Sequence, residues 1–170
     1  MGACAKRVFT SSKTYDGAQI VSVLAADAVC AQMAKDASLS GKWMAWISDS
    51  SGSSPAKRFD APFPGPYVLA KNPSIRIVKN AAAFAKPLEH AIDLDETGAI
   101  VPAGTPVYTN TDGFGDAIPA GPVTGYACKD WTSNAMVDAA FTGIITSSNG
   151  WTFHAALPCT TLARIYCFEQ

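Results

Sequence analysis

A chain of 170 residues is close to the length of one ordinary domain, and 48% hydrophobic against 16% charged residues is low in charge for such a domain. Thirteen Lys and Arg against fourteen Asp and Glu give a formal charge of −1, which excludes a charged disordered tail and leaves nucleic acid no electrostatic footing. No apolar run reaches the roughly 20 residues of a membrane helix, so no membrane span is expected. Residues 6–11 read as a first strand, β-branched and aromatic at its centre, followed by a polar turn at Asp16-Gly17. From Ser22, a plausible N-cap, to Ala37 the period becomes helical, with Val21, Leu24, Ala25, Ala28, Val29, Gln32 and Met33 on one stripe and Asp27 off it. Gly41 closes the helix exit. Residues 43–47 form the next predicted strand, with Trp43, Ala45 and Ile47 on one side and Met44 and Trp46 on the other.

After a polar loop, Pro55 suits the first position of a short helix capped by Ser54. Three prolines in residues 61–66 keep that stretch out of any central strand. Residues 67–69 and 75–78 read as paired short strands joined by turn chemistry at Lys71-Asn72-Pro73-Ser74, and residues 81–85 as one helical turn. From about 95 to 160 Gly, Pro, Asn, Asp, Ser and Thr punctuate the chain, and regular signals thin out. So long a loop region inside one domain is where function commonly sits. Residues 162–168 restore regularity as a terminal strand.

Five cysteines, at 4, 30, 128, 159 and 167, contain no C-x-x-C pair, which disfavours a zinc centre. Scattered buried thiols are one reading. Two disulfides with one odd cysteine are another, and they would place the chain in an oxidising compartment. Spacing alone does not choose among the pairings. Cys4 stands near the start as an unpaired thiol or the trace of a lipidation site in a longer precursor, although Met1-Gly2-Ala3-Cys4-Ala5-Lys6-Arg7 lacks a signal peptide's apolar centre.

Several segments together carry a resemblance: Val8-Phe9-Thr10-Ser11, Ala25-Ala26-Asp27-Ala28-Val29-Cys30, Gly41 to Asp49, Asp95-Glu96-Thr97-Gly98, Cys128-Lys129-Asp130-Trp131-Thr132-Ser133 and Arg164-Ile165-Tyr166-Cys167-Phe168-Glu169. From about residue 8 to 170 the chain resembles a family of bacterial secreted or surface domains related in fold to endostatin and the C-type lectins, with residues 1–7 left as an N-terminal extension. The resemblance implies an α+β, C-type-lectin-like fold. Terminal strands would pair in one sheet with two flanking helices, and a long loop region would carry a small second sheet. It also implies the bridges Cys30–Cys167 and Cys128–Cys159, and a secreted or cell-surface location.

Sugar-binding C-type lectins use Glu-Pro-Asn or Gln-Pro-Asp with Trp-Asn-Asp. Neither occurs here, so their calcium–sugar site is not carried over and no cofactor is expected. The only calcium candidates are Asp93, Asp95 and Glu96, then Asp112 and Asp116. Residues 110–116 resemble the opening of an EF-hand loop, but the twelfth position is Gly121 instead of a bidentate Glu, and Asp-Gly turns explain these acids more simply. Trp131, three residues after Cys128, is expected to pack on a disulfide, and Trp43 and Trp46 to be core. Tyr108, Tyr126, Trp151 and Phe153 are the candidate ligand contacts, because aromatics of a lectin-like surface stack on sugars or anchor proteins. There is no G-x-S-x-G elbow beside His90 or His154, and no enzyme is expected. The expected function is an extracellular binding or adhesion module that presents the 95–160 loops to a glycan or protein ligand. The alternative is a structural cap or an oligomerisation module, a trimer being one form, on a longer bacterial surface protein, as endostatin-like domains adjoin collagen-like stalks.

Overall fold

The computed structural model describes residues 4–60, 62–121 and 124–170. Residues 1–3 of the expected extension, and Ala61 and Pro122 of the expected loops, lie outside the described residues. The chain is an α+β protein with few helices and two sheets. The first sheet takes β1 (Lys6–Thr10), β2 (Trp43–Ala45), β3 (Tyr67–Leu69), β4 (Asn72–Val78) and the final strand, Tyr166–Glu169, in the order β2, final strand, β1, β3, β4. Its two terminal strands pair antiparallel at the centre, Val8 opposite Phe168, Phe9 opposite Cys167 and Thr10 opposite Tyr166. Lys6 and Arg7, read both as the start of the first strand and as the end of the extension, pair with Tyr67 and Val68 as part of β1. Among the described residues no helix is long and apolar enough to cross a membrane.

The two-residue period of a strand splits this sheet into two cores. Phe9, Trp43, Ala45, Ile47, Ile165 and Cys167 face one side; Val8, Trp46, Tyr67, Leu69, Tyr166 and Phe168 face the other. The expected alternation of Trp43, Ala45 and Ile47 against Trp46 is therefore observed. Helix α1 (Val23–Asp36) covers the first side, and the Ser22 hydroxyl accepts from the Ala25 N–H as its N-cap.

The helix faces another way than its apolar stripe predicts. Val23, Ala26, Cys30, Met33 and Ala34 are buried, whereas Val21 and Leu24 are 60% and 73% exposed. An Ala-rich helix is apolar on several sides, so its partners decide the facing. Here Cys30 bonds Cys167 of the last strand, with Cα atoms 5.4 Å apart, and the Asp27 carboxylate accepts from the Ala45 N–H at 2.8 Å.

Short α2 (Pro55–Arg58) starts with Pro55 at its first turn, but the buried Ser54 hydroxyl makes no capping hydrogen bond. Asn72, Pro73 and Ser74, expected in a turn, extend β4 instead; β4 is the sheet's edge, where proline's missing N–H is tolerated. Residues 81–85 wind as a 3₁₀ turn capped by Asn80.

The loop-rich stretch holds the second sheet, in the order β5 (Pro106–Tyr108), β6 (Ala139–Ile144), β7 (Ala155–Pro158), all antiparallel. The Tyr166–Glu169 strand, β8, completes the chain. Before β6 runs α3 (Tyr126–Trp131), in which Ala127 to Trp131 have φ between 50° and 68°, a left-handed turn. Left-handed helical backbone costs about 1–2 kcal/mol per non-glycine residue, so neighbours must hold it. Cys128 bonds Cys159, Trp131 is fully buried with its indole N–H on the Ser48 carbonyl, and Asp130 accepts from the Ser50 N–H and hydroxyl. Lys129 reaches the buried Asp138 carboxylate at 3.0 Å.

Candidate ligand cleft

The second face of the main sheet carries a cluster of aromatic rings among aliphatic side chains. Trp46 lies with its ring centroid 5.2 Å from Trp151 and 5.1 Å from Phe168, and Phe84 stands 5.1 Å from Tyr67 and 5.2 Å from Phe168. These planar rings are covered by short segments instead of a long helix: α2 with Phe59, the proline-rich strand entry with Phe63, the 81–85 turn, and the 112–116 loop. Where the segments meet, an open cleft of about 260 Å³ remains. Trp46, Tyr67, Phe84 and Phe168 line its depth, and Phe59, Phe63 and Phe114 its walls and lip. Asp60 is the one charged side chain lining it among the described residues.

Each wall is placed by a local device. Arg58 donates from one nitrogen to both oxygens of Asp27, at 2.7 and 2.6 Å, and from another to the carbonyls of Ala45 and Ile47 at 2.8 Å. Strand β2 is an edge of the sheet, so Arg58 satisfies carbonyls no neighbouring strand reaches and anchors α2 beside Phe59. The lip is set by Asp112, whose carboxylate accepts from the N–H groups of Phe114 and Asp116 at 2.8 and 3.0 Å. Gly113 lets this loop lie against the 81–85 turn, since a Cβ there would meet the Phe84 carbonyl oxygen at 2.9 Å. Gly115 has φ of 85° and gives its carbonyl to the Ala56 N–H at 2.9 Å. Phe114 is left 75% exposed at the mouth.

The residues expected as ligand contacts fall elsewhere. Tyr108 is fully buried, its hydroxyl donating to the Thr161 carbonyl at 2.8 Å, and burial raises its pKa. Trp151 is 1% exposed beneath Phe84, with its indole N–H on the Phe84 carbonyl. Both are corrected to core residues, because in a chain without periodicity nothing tells which way an aromatic points. Tyr126 is half-buried against the α1 side, and Phe153 is 48% exposed, edge-on to Phe141 at 5.1 Å; neither lines the cleft. Among the described residues of the loop region only Phe114 and Gly115 line it.

The calcium candidates carry structural work. Asp93 sits 3.6 Å from the His90 ring. Asp95 accepts from the N–H groups of Thr97 and Ala99 and from the Thr97 hydroxyl, and Glu96 accepts from the N–H and hydroxyl of Ser12. Asp112 is the lip staple, and Asp116 is exposed. Among the described residues no three His, Cys, Asp or Glu side chains gather as a metal site.

Sequence reasoning missed Phe59, Phe63, Phe84 and Phe114 as one set. They come from four separate segments, each too short to carry a period, and only the fold brings them together. No protein-family model matches this chain, and no curated protein matches it.

Proposed function

We propose that this is a non-enzymatic binding module of C-type-lectin-like type, working outside the cytosol, and that its ligand enters the aromatic cleft between Phe59, Phe63, Phe84 and Phe114. The observation that carries the reading is Phe114, a large ring held at the cleft mouth by a stapled loop and left three-quarters in solvent. Exposed aromatics beside a concave apolar surface are typical of recognition sites. Two disulfides joining distant segments suit an oxidising compartment, hence the secreted or surface location. The 95–160 loop region contributes the lip at Phe114 and Gly115, and residues 55–60, 62–63 and 81–84 the walls, so the proposed site is shared between them.

Screening the folded chain against glycan and host-matrix protein panels tests it. Ligands captured by the wild-type chain and lost in Phe114→Ala are the expected result. Capture undiminished in that variant would move recognition away from the cleft. The alternative of an oligomerisation cap draws on the bare Val21 and Leu24 of the α1 side. Sedimentation analysis separates the two, since a stable trimer that captures nothing favours the cap.

A further inference from the structure

Accepting the cleft as the ligand site, we infer that its ligand is a small organic cation of the quaternary-ammonium class, about the size of choline. At about 260 Å³ the cleft is smaller than the roughly 300–1,000 Å³ of sites for drug-sized ligands. It suits a headgroup-sized molecule. A bare sugar carries many hydroxyls that need polar partners, and rings dominate this lining, so a glycan or protein captured from the panels would enter the cleft through a quaternary-ammonium group it carries. Among the described residues the lining itself holds no Lys or Arg to receive an anion; its one charged residue is Asp60, with Lys6, Lys42 and Arg58 set outside the lining. A cation wrapped in methyl groups matches both features, because ring faces attract positive charge electrostatically and the methyl groups bury apolar surface.

The chain's own cations already use these rings. The Lys6 ammonium lies 4.7 Å from the centroid of Phe63, and the Arg58 guanidinium 5.8 Å from that of Phe59. Asp60 has a competitor in Lys42, at 3.2 Å, but both side chains are 58% exposed and a pair in that setting is weak. A bound ammonium can therefore take Lys42's place beside Asp60.

The experiment is a nuclear magnetic resonance titration of the folded chain with choline, and in parallel with 3,3-dimethylbutan-1-ol, its neutral carbon isostere. The Trp46 indole N–H and the Gly115 amide report on the cleft. Saturable shifts at both with choline are expected, with the isostere about tenfold weaker, the size of one desolvated cation–ring contact. Asp60→Asn should weaken choline about three- to tenfold and leave the isostere unchanged; Lys42→Ala should tighten choline by a few-fold. Equal binding of the two probes overturns the cation inference while leaving the cleft as a binding site. Absence of any shift with choline overturns it as well. Ligand capture that survives Phe114→Ala, by contrast, removes the cleft reading beneath it.

Discussion

The two faces of the main sheet are closed in opposite ways. On one, α1 lies flat and its small side chains, Ala26, Cys30 and Ala34, allow close approach; a covalent bond to Cys167 joins helix to sheet. On the other, residues 55–59, 81–85 and 112–116 cover a floor of rings. A regular helix with small side chains fits a sheet without gaps. Short segments over rigid planes do not, and the residual space becomes the cleft. The first face is tied covalently and the second is left with the open cleft, with Arg58 and Asp27 linking the two around the edge of β2.

The comparison breaks most severely at the bridge. Cys30 and Cys167 are 137 residues apart, and closing a loop that long in the unfolded chain corresponds to about 5 kcal/mol as an upper figure. Cys167→Ala is expected to lower Tm by on the order of 10 °C. The same change at the exposed Cys4 should leave Tm where it is. Equal melting of the two variants by calorimetry would remove the bridge as the clamp of the helix face.

Breaking the joint between the faces comes next. Arg58→Leu leaves the largely buried Asp27 carboxylate with the Ala45 N–H but without its cation and strips two edge carbonyls, a loss of about 3 kcal/mol. Asp27→Leu added to it should recover part of that loss, since the double variant has no orphaned charge. Urea denaturation of the three variants measures the coupling, and simple additivity would mean the pair does not act as a unit.

A smaller, pH-dependent effect sharpens the contrast on the left-handed turn. The Ser133 hydroxyl, and then the Lys129 ammonium, hydrogen-bond the Asp138 carboxylate and hold its pKa below the ordinary 3.8. A carboxylate depressed in the folded state stabilises fully above its unfolded pKa, and that stability is lost as the pH falls through the folded value. Asp138→Asn should therefore flatten the acid limb of the stability curve below about pH 4 and leave its shape at neutral pH unchanged. A parallel fall of both curves in acid would show that other carboxylates govern it.

Much of the first face was legible because its elements are long enough to show a period or a cap. The start of α1 at Ser22, the alternation of Trp43, Ala45 and Ile47 against Trp46, and the closing strand all rest on such signals. The facing of α1 was not legible, because it depends on Cys167 and Ala45, partners far away in the chain. The small second sheet was implied by the resemblance alone and had no local signal of its own. Its strand β6, Ala139–Ile144, buries Ala140 and Thr142 and leaves Phe141 and Ile144 partly exposed, so its hydrophobic pattern does not mark the inward face, and its place comes from neighbours on both sides. Tyr108 and Trp151 were misplaced for want of any local signal of direction. The cleft is the extreme case, four phenylalanines on separate short segments.

The gentlest substitution separates the faces most cleanly. Phe114 is mostly in solvent, and the Asp112 staple that positions it uses backbone N–H groups that an alanine retains. Phe114→Ala is therefore expected to change unfolding free energy by no more than about 0.5 kcal/mol, as exposed positions usually do. Phe84→Ala, by contrast, removes a ring buried between Tyr67, Trp46 and Phe168, at a loss of about 3–5 kcal/mol. Chemical denaturation gives both numbers, and binding is read on Phe114→Ala alone, where folding is intact. If Phe114→Ala proves as destabilising as Phe84→Ala, the lip is part of the core and its exposure has no bearing on recognition.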